Sequence, residues 1–510
     1  MTKFQLREFS TVTNENIFTS FDRSFARAGE RIAIRSQSGH TNLNFATLRS
    51  AAARYANALV ALGIEPGDRI TVQIEKSVAN VILYLASLKV GAVYQPLNTA
   101  YTETEVAYFV ADAGPKIIVC DPSRQQAMRK LGDRNKVLAV VNLDSNGEGS
   151  LASLAARMED SHETVARNAD DLAGLLYTSG TTGRSKGAMI THGNLASNAA
   201  TLVKLWRITS DDVLLHALPI FHVHGLFVAL NTAFLSACEI IWLGKFDAAA
   251  VIAALPRATL MMAVPTFYTR LLAAKDFDRE TCRNMRLFIS GSAPLLAGTH
   301  DEFSARTGHN ILERYGMTET GMITSNPYEG ARLAGTVGFA LPDVSVRIAG
   351  EQPGVLEVKG PNVFKGYWRM PEKTTEDFTG DGYFITGDVA TIDAEARVSI
   401  VGRAKDLIIS GGFNVYPKEI EEAINALPGV VESAVVGVPH RDFGEAIIAA
   451  VNTKGPHPTE AQMIADLSKN LARFKLPKRI FVIEELPRNA MGKIQKADLR
   501  RRYAGIFEQA

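Results

Sequence analysis

The residues best suited to chemistry form one run of eleven, from Tyr177 to Gly187, with the sequence YTSGTTGRSKG. The run contains three glycines, five serine or threonine residues and two cations. Glycine lets backbone N–H groups approach an anion closely, hydroxyls add donors that rotate to fit, and the lysine supplies a mobile positive charge. The pattern therefore predicts a loop that binds phosphate through Thr178, Ser179, Gly180, Thr181, Thr182, Gly183 and Lys186.

Two other interpretations of this run need weighing. A P-loop has two glycines separated by four residues, with Lys-Ser or Lys-Thr directly after the second glycine. Here Gly180 and Gly183 are separated by two residues, and Lys186 lies three beyond Gly183, so this is not that motif. A flexible surface linker also has this Ser/Gly/Thr composition, but a linker needs neither the two cations nor a strand before it. Phosphate binding is favoured, and the loop alone leaves the phosphate chemistry open.

A strand before the loop and a helix after it are the elements that must position it. The apolar run from Ala173 to Tyr177 is typical of a short buried strand, and a helical pattern begins at Asn194, so we expect the loop to join strand to helix. From about residue 45 onward, apolar segments of strand length alternate with amphipathic helical ones, which predicts α/β layers with largely parallel sheets. The predicted helices include 48–62 and 78–90, and the predicted strands include 69–74 and 116–120.

The pattern changes after about Gly380, where Asp-Gly and Gly-Asp pairs separate short strands, as in hairpins. Beyond Lys405 we predict helices near 417–427 and 460–471 and strands over 430–438, 446–452 and 479–484. The sequence thus predicts an α/β protein with a large N-terminal domain of layered α/β sheets, residues 1–404, and a small α+β domain, residues 405–510.

Composition limits the partners. The chain has 510 residues, with 55 Lys and Arg against 54 Asp and Glu, which gives no global electrostatic reason to expect nucleic acid or a membrane surface. Three separated cysteines without a CxxC pair predict neither a disulfide framework nor a zinc site. The charged N-terminus shows no export signal. We expect small-molecule partners and a cytoplasmic location.

The longest uncharged stretch, residues 213–238, is long enough to raise the question of a membrane span. It is interrupted by Pro219, Gly225 and Asn231, and it also carries three histidines. We therefore predict a strand, a loop and a helix buried in a core.

Further motifs add chemistry to the phosphate loop. Residues 313–320 place an aromatic ring, a hydroxyl and a carboxylate in what we predict to be one short turn, suited to stacking a base, contacting a phosphate and holding Mg²⁺. Asp388, at a predicted strand end, would accept hydrogen bonds from ribose hydroxyls. Two further motifs cover residues 402–421 and 487–496. Taken singly, these also fit a core tyrosine, a turn aspartate and a solvated basic tail.

In their order and combination these motifs resemble the acyl-adenylate-forming superfamily, which includes acyl-CoA synthetases, carrier-protein adenylation domains and luciferases. The resemblance covers nearly the whole chain. It implies ATP and coenzyme A as substrates, Mg²⁺ as cofactor, and a C-terminal domain that moves as a lid. It also implies that Lys405 is the hinge between domains and Lys493 the catalytic lysine on the small domain. A lysine-modifying enzyme acting on Lys493 is a further expected partner.

The resemblance also assigns roles to the remaining motif residues. The loop ending at Lys186 would hold the β- and γ-phosphates, Thr318 would contact the α-phosphate, and Glu319 with Thr178 would hold the metal. Asp388 and Arg403 would hold the ribose. The adenine pocket would be formed by Ser290, Gly291, Ser292, Ala293, Pro294, Glu313, Arg314, Tyr315, Gly316 and Met317. The pantetheine tunnel would be bordered by Ser410, Gly411 and Gly412.

Within the superfamily, residues 218–226, 288–295 and 322–328 look like those of malonyl-CoA synthetases, which activate malonate and often methylmalonate. A second substrate carboxylate needs a cation or donors, because a buried unpaired charge costs several kcal/mol. The candidates are Lys245 and Arg286, with His222 and His224 as donors, His222 also as a catalytic group, and Met317 in the acid pocket. For the cations a solvated charge or structural ion pair is the alternative, and for the histidines a satisfied core imidazole.

The predicted reaction is ATP-dependent ligation of malonate to coenzyme A through an acyl-adenylate, giving malonyl-CoA, AMP and pyrophosphate. One alternative is a synthetase for an uncharged short-chain or aryl acid. Another is a nucleotide-binding regulator that has lost catalysis, against which Lys493, Glu319 and the complete loop argue. A third is an adenylation module that loads a carrier protein, which we do not expect because these 510 residues contain no downstream carrier segment with an Asp-Ser-Leu type attachment site.

Overall fold

The structure, a computed structural model, describes residues 14–36, 42–178, 185–410, 413–489 and 492–507, except the side chain of Asn414. The chain divides into two compact units. The first comprises the described residues up to Lys245 together with Thr318–Gly321 and Pro361–Pro371. The second comprises Phe246–Met317, Met322–Gly360 and the described residues from Glu372 onward. The predicted boundary at residue 405 stays a prediction.

The first unit contains two groups of strands. Its strands are β1 (Ile32–Ser36), β2 (Asn42–Asn44), β3 (Arg69–Gln73), β4 (Val93–Pro96), β5 (Ile117–Cys120), β6 (Ala139–Asn142), β7 (Leu172–Thr178), β8 (Lys186–Thr191), β9 (Val213–His216) and β10 (Glu239–Trp242). One sheet has the order β6-β5-β3-β4-β7-β8, parallel except for the antiparallel β7–β8 pair. In the other group β9, β10 and β1 are parallel, and β2 pairs antiparallel with β1.

Helices of the first unit alternate with these strands, as the sequence predicted. They are α1 (Ile17–Ala28), α2 (Phe45–Ala61), α3 (Val78–Lys89), α4 (Glu103–Ala113), α5 (Gln125–Arg134), α6 (Ser150–Ala155), α7 (His192–Leu205) and α8 (Asn231–Ser236). Helix α3 is mostly apolar around its whole circumference, which agrees with its burial from Ala79 to Lys89. Residues 213–238 form a strand, a loop, a π-helical turn (His224–Leu230) and α8, which confirms the buried interpretation.

The second unit begins with parallel strands and continues with antiparallel ones. Its strands are β11 (Leu260–Ala263), β12 (Leu287–Ser290), β13 (Leu312–Met317), β14 (Gly321–Ser325), β15 (Phe339–Ala340), β16 (Ser345–Ala349), β17 (Gly354–Lys359), β18 (Phe384–Ile392) and β19 (Val398–Arg403). Strands β11, β12 and β13 are parallel, and β16-β17-β18-β19 form an antiparallel sheet. The helices here are α9 (Ala248–Ala254), α10 (Pro265–Leu272), α11 (Ala297–Thr307) and α12 (Pro371–Glu376).

The last hundred residues form an α+β arrangement with its own apolar clusters. The strands are β20 (Ile408–Ser410), β21 (Phe413–Val415), β22 (Val430–His440), β23 (Gly444–Thr453) and β24 (Arg479–Val482), and the helices are α13 (Pro417–Asn425), α14 (Glu460–Leu467) and α15 (Lys496–Tyr503). The long β22–β23 hairpin packs one set of side chains against α13 and α14 and the other against α15. The predicted helices and strands of this segment are confirmed.

Membrane insertion was a question for residues 213–238. Across the described ranges, the structure contains no helix with the length and apolarity needed to cross a membrane.

Candidate active site

The predicted phosphate loop connects two antiparallel strands. Thr178 and Lys186 are register partners at the open end of the β7–β8 pair. The expected strand-to-helix connection was wrong, because β8 intervenes before α7 begins at His192. Capping explains the boundary, since Thr191 and Asn194 form a reciprocal capping box at the start of α7. The predicted residues Ser179, Gly180, Thr181, Thr182 and Gly183 lie outside the described residues.

A buried carboxylate meets the end of β7. Glu319, 5% exposed, accepts a hydrogen bond from the Thr178 hydroxyl, with 3.2 Å between Thr178 Oγ1 and Glu319 Oε1. The Tyr367 hydroxyl donates to the same carboxylate oxygen at 3.3 Å. Lys186 Nζ lies 4.1 Å from the centroid of the Tyr367 ring. Burial raises the pKa of Glu319. The structure thus brings together two residues that the sequence proposed as metal ligands.

The donor atoms of this cluster fit a magnesium ion. A carboxylate and a hydroxyl are hard oxygen ligands, which Mg²⁺ prefers. Among the residues that the structure describes, no three His, Cys, Asp or Glu side chains are grouped to hold a metal by themselves. Magnesium commonly binds through one or two carboxylates plus substrate phosphates, and Glu319 with Thr178 matches that mode.

A second cluster joins the predicted adenine and ribose residues. The Tyr315 hydroxyl donates a hydrogen bond to Asp388 Oδ2, and Arg403 Nε lies 3.0 Å from Asp388 Oδ1. Burial and the neighbouring Asp388 charge raise the pKa of Tyr315. We expected Asp388 at the end of a strand, and this was wrong, because Asp388 lies inside β18. Gly387 has a φ of +70° and lies within an irregularity in the β17–β18 register, so the Gly-Asp pair marks a bulge rather than an end.

The strands β12 and β13 carry the other adenine-pocket candidates. The expectation that residues 313–320 form one short turn was wrong. Strand β13 continues through Gly316 and Met317, and the turn comprises only Thr318–Thr320. Ser290 is buried at the carboxyl end of β12. A methyl group on Gly291 would lie 2.4 Å from Cζ of the buried Arg314, so only glycine allows this approach. Half-buried Ser292 and Ala293 and exposed Pro294 follow Gly291 directly.

Glu313 is a buried carboxyl group whose Oε1 accepts a hydrogen bond from the Gly335 N–H at 3.4 Å. Burial raises the pKa of Glu313 from 4.5 to about 7. Because the folded state holds this proton more tightly than the unfolded state, the contribution to stability is present below pH 4.5 and is lost as the pH rises to about 7. The shift corresponds to on the order of 3 kcal/mol.

We expect Glu313→Gln to flatten the fall in melting temperature between pH 5 and 8, because a neutral amide has no proton to lose. Thermal unfolding followed at several pH values checks this. Glu302→Gln, at an exposed position of α11, is the matched control and should keep the wild-type slope. A slope in the Glu313 variant equal to that of the unmodified protein would contradict the burial argument.

The acid-pocket histidines surround a π-helical turn. His224 is buried at the first position of the turn, and its backbone N–H donates to His222 Nδ1 at 3.4 Å. Gly225 is required here, since a methyl group would lie 2.1 Å from the Pro219 carbonyl oxygen. π-helical turns are rare and occur often at functional sites. His222 is half-buried.

The two candidate cations lie at opposite ends of strands. Lys245 is exposed three residues beyond the carboxyl end of β10. Arg286 immediately precedes β12, at the amino end of the strand, whereas Ser290 is at the carboxyl end. Four residues of strand span roughly 13 Å. The Arg286 guanidinium lies 5.4 Å from the Tyr328 ring centroid. The structure therefore does not bring Arg286 next to Ser290.

Two ion pairs flank the predicted hinge. Lys405 lies in a 3-10 turn, Ala404–Asp406. On one side Arg403 is paired with Asp388 at 3.0 Å, and on the other Arg500 Nη2 lies 2.7 Å from Asp406 Oδ1. The chain is thus anchored to β18 before Lys405 and to α15 after it.

The predicted catalytic lysine, near the C-terminus, is joined to Asn489 by two hydrogen bonds. The Lys493 N–H donates to Asn489 Oδ1 at 3.0 Å, and the Asn489 N–H donates to the Lys493 carbonyl at 2.9 Å. The lysine is half-buried. Ser410 is buried at the end of β20, while Gly411 and Gly412 lie outside the described residues.

Sequence reasoning missed two residues that the structure joins to these groups. Tyr367 contacts Glu319, and Lys76 contacts the ends of β9 and β10. Both contacts join residues distant in sequence. The signal that was available for Tyr367 was its position in an aromatic run, Phe364 to Trp368.

Comparison with known proteins gives consistent results. A family model described as AMP-binding enzyme matches residues 21–368, and one described as AMP-binding enzyme C-terminal domain matches residues 419–493. The crystal structure of ATP-bound MatB from Rhodopseudomonas palustris is 53% identical, has a TM-score of 0.94, and covers 97% of this chain and 100% of that one. A mitochondrial malonate–CoA ligase from Mus musculus is 34% identical over 92% of this chain and 88% of its own length. A feruloyl-CoA synthase from Amycolatopsis sp. is 34% identical over 91% of this chain and 95% of its own length.

Proposed function

We propose that this chain, which belongs to the AMP-binding enzyme family, ligates malonate to coenzyme A in two steps. Malonate first reacts with ATP to give malonyl-adenylate and pyrophosphate, and the thiol of coenzyme A then displaces AMP to give malonyl-CoA. The observation that carries the proposal is the contact of buried Glu319 with Thr178, at the strand end where the phosphate loop begins. The similarity to a malonate–CoA ligase supports the choice of acid.

We assign the nucleotide roles by the chemistry of each cluster. Lys186 and the loop after Thr178 would take the β- and γ-phosphates, Thr318 would take the α-phosphate, and Glu319 with Thr178 would hold Mg²⁺. Tyr315 and the residues from Ser290 to Ala293 contact adenine, and Asp388 with Arg403 holds the ribose. A bound Mg²⁺ would supply positive charge to the triphosphate. The Tyr367 hydroxyl orients the Glu319 carboxylate by donating to it at 3.3 Å.

The first step brings two anions together, so the chain must supply positive charge where negative charge develops. Attack of a carboxylate on the α-phosphorus places charge on the phosphoryl oxygens and on departing pyrophosphate. Lys493 is the cation that we assign to this step. Its backbone N–H and carbonyl form hydrogen bonds with Asn489, which fixes the backbone from which the side chain extends.

The second step needs a thiol where the first needs a lysine. We propose that rotation of residues 405–510 about Lys405 removes Lys493 and brings Ser410 and the two glycines after it to border the pantetheine path. Residues 404 and 405 lie between the two flanking ion pairs, so we assign the change of backbone torsions to them. One active site would then catalyse both reactions in turn.

Lys405→Pro tests the hinge. Proline fixes φ near −65° and restricts the residue before it, so one arrangement should be trapped. We expect pyrophosphate exchange to survive and thioester formation to fall by about a hundredfold. Lys405→Ala, which removes the same side chain but leaves φ free, is the control and should retain both activities. Thioester synthesis by the proline variant at the unmodified rate would remove the hinge role.

In the acid pocket, we assign the second malonate carboxylate to Lys245, with His222 and His224 as donors. Lys245 follows the carboxyl end of a parallel strand, and ligands of α/β sheets bind outside such ends. Met317, half-buried at the end of β13, would contact the acid carbon chain. Arg286, at the opposite strand end, serves as the comparison residue.

A second candidate function is ligation of an uncharged aryl or short-chain acid. The similarity to a feruloyl-CoA synthase favours it, because that relative matches nearly as much of the chain. It requires the same adenylate chemistry but no cation in the acid pocket. Lys245 would then be a solvated surface charge.

The deciding experiment is ATP–pyrophosphate exchange with a panel of malonate, methylmalonate, butyrate and ferulate, followed by thioester formation with free coenzyme A. Fastest exchange with malonate, and malonyl-CoA as product, supports the proposal. Fastest exchange with ferulate or butyrate supports the second candidate. No exchange with any acid, despite ATP binding, would favour a regulator that has lost catalysis. Acylation of Lys493 by a lysine-modifying enzyme should stop exchange, because it removes the charge.

A further inference from the structure

A lysine that the proposed reaction does not use lies at the carboxyl ends of β9 and β10. Lys76 Nζ donates to the carbonyl oxygens of His216 at 3.0 Å and Leu243 at 2.5 Å. The same ammonium lies 4.2 Å from the centroid of the Trp242 ring. Burial lowers the pKa of Lys76, while two carbonyl oxygens and an aromatic face favour its charged form.

His216 and Trp242 complete this cluster. They are register partners at the ends of the parallel strands β9 and β10, and their rings stack with centroids 5.2 Å apart. His216 Nε2 lies 3.0 Å from the carbonyl oxygen of Gly225 in the π-helical turn. Burial and then the Lys76 charge lower the pKa of His216, which favours a neutral imidazole that donates from Nε2 to this carbonyl.

Two connections lead from the cluster to the acid pocket. One runs from Lys76 to Leu243, two residues before Lys245. The other runs from Lys76 through His216 to Gly225, in the turn that begins at His224. Lys76 thus joins, with one ammonium group, both segments to which we assign contacts with the acid.

The backbone of Lys76 is itself fixed. It lies three residues after β3 and directly before Ser77, whose hydroxyl caps α3 by accepting from the Asn80 N–H at 3.2 Å. Because Ser77 caps α3, the backbone of the preceding Lys76 is held at the start of the helix. Its ammonium can then hold the ends of β9 and β10 in place. This placement is more specific than that of a surface lysine, which would leave its ammonium in water.

We propose that Lys76 is a positioning residue for the acid substrate. It contacts no reacting atom, and it sets the relative place of the Leu243–Lys245 segment and the π-helical turn. Displacement of about 1 Å in a substrate-positioning segment can change rates by about a hundredfold. The inference rests on the proposed function only in the assignment of these two segments to acid binding.

The test is the Michaelis constant for the acid in pyrophosphate exchange, measured with whichever acid of the panel the unmodified enzyme uses fastest. Lys76→Met removes the charge and the donors and should raise KM for the acid by about tenfold to a hundredfold. KM for ATP should stay within about threefold. Lys76→Arg, which keeps charge and donors, should restore most of the loss.

Lys89→Met is the matched control, because Lys89 lies at the other end of α3. Lys89 is buried, and its Nζ lies 4.6 Å from the centroid of the Phe18 ring and 3.3 Å from Thr164 Oγ1, but it contacts neither β9 nor β10 in the described structure. It should lower the melting temperature and leave KM for the acid unchanged. An equal rise of both Michaelis constants in the two methionine variants would overturn the proposal, as would an unchanged KM for the acid in Lys76→Met.

If Lys76→Met does not fold, Trp242→Leu decides the question by the same measurement. It removes the ring that the ammonium and His216 contact, and it should raise KM for the acid alone. A wild-type KM in this variant would overturn the proposal. If the unmodified enzyme prefers an acid other than malonate, the proposed substrate is refuted. The Michaelis constants of the variants for that preferred acid would still test the role of Lys76.

Discussion

Lys493→Ala is expected to lower acyl-adenylate formation from ATP by about a hundredfold to a thousandfold, while supplied malonyl-adenylate is still converted to malonyl-CoA. The charge of Lys493 is needed as pyrophosphate departs, when negative charge on the phosphoryl group is greatest, and one well-placed donor contributes about 10² to 10³ in rate. In the second step the proposed rotation carries the lysine away, so its loss has no consequence there. Pyrophosphate exchange measures the first step, and thioester formation from the adenylate measures the second.

Lys496→Ala is the matched control for this prediction. It removes a lysine from the same segment, but Lys496 Nζ is paired with Glu421 at 2.7 Å, within the same C-terminal part of the chain. Both half-reactions should survive in this variant. Equal losses in the two half-reactions of Lys493→Ala would show that the residue supports the structure or both steps, and would remove the assignment.

Malonate is expected to be preferred over butyrate by about 30- to 1000-fold in kcat/KM, and a malonate half-ester should lose most of the activity. Butyrate has a similar chain length but no second charge, so it offers Lys245 and the histidine donors no second carboxylate. Because Lys245 is exposed, we assign most of the expected cost, on the order of 2–4 kcal/mol, to the buried His224. Steady-state kinetics with the three acids at saturating ATP and coenzyme A measure the preference.

Lys245→Met should reduce this preference by penalising malonate much more than butyrate. Arg286→Met removes a cation from the amino end of β12 and should leave the preference intact. If Arg286→Met reduced the preference and Lys245→Met did not, we would assign the binding of the second malonate carboxylate to Arg286 instead. Butyrate activity equal to that of malonate in the unmodified enzyme would reject the dicarboxylate interpretation and favour the uncharged-acid alternative, with the adenylate chemistry unaffected.

The sequence predicted best those elements that carry a strong local pattern. Helices α2 and α3 and strands β3 and β5 were found within a few residues, because apolar periodicity depends only on neighbours along the chain. Strand β8 was missed since only Ala188 to Ile190 separates the loop glycine from the helix cap, too short a run to show a period. Gly387 was interpreted as the end of a strand, because a β-bulge and a turn both favour glycine.

The candidate site was predicted by residue type and order, while its contacts required the fold. Thr178 and Glu319 were assigned to one metal from motifs that lie 141 residues apart, and the structure places their oxygens 3.2 Å apart. Nothing near Lys76 in sequence indicates His216 or Leu243, which are 140 and 167 residues away. Such contacts depend on strand order, which local patterns do not encode.

For the hinge that we propose, the ion pairs on either side of Lys405 would also set how often the small C-terminal part meets its site. Residues 404 and 405 lie between Arg403 and Asp406, so the tether has three residue steps and spans roughly 10 Å when extended. A body on so short a tether has an effective concentration of about millimolar or more, whatever the concentration of enzyme. For the hinge that we propose, dilution therefore leaves turnover per molecule unchanged, and bound ligands alone set the balance between the two arrangements.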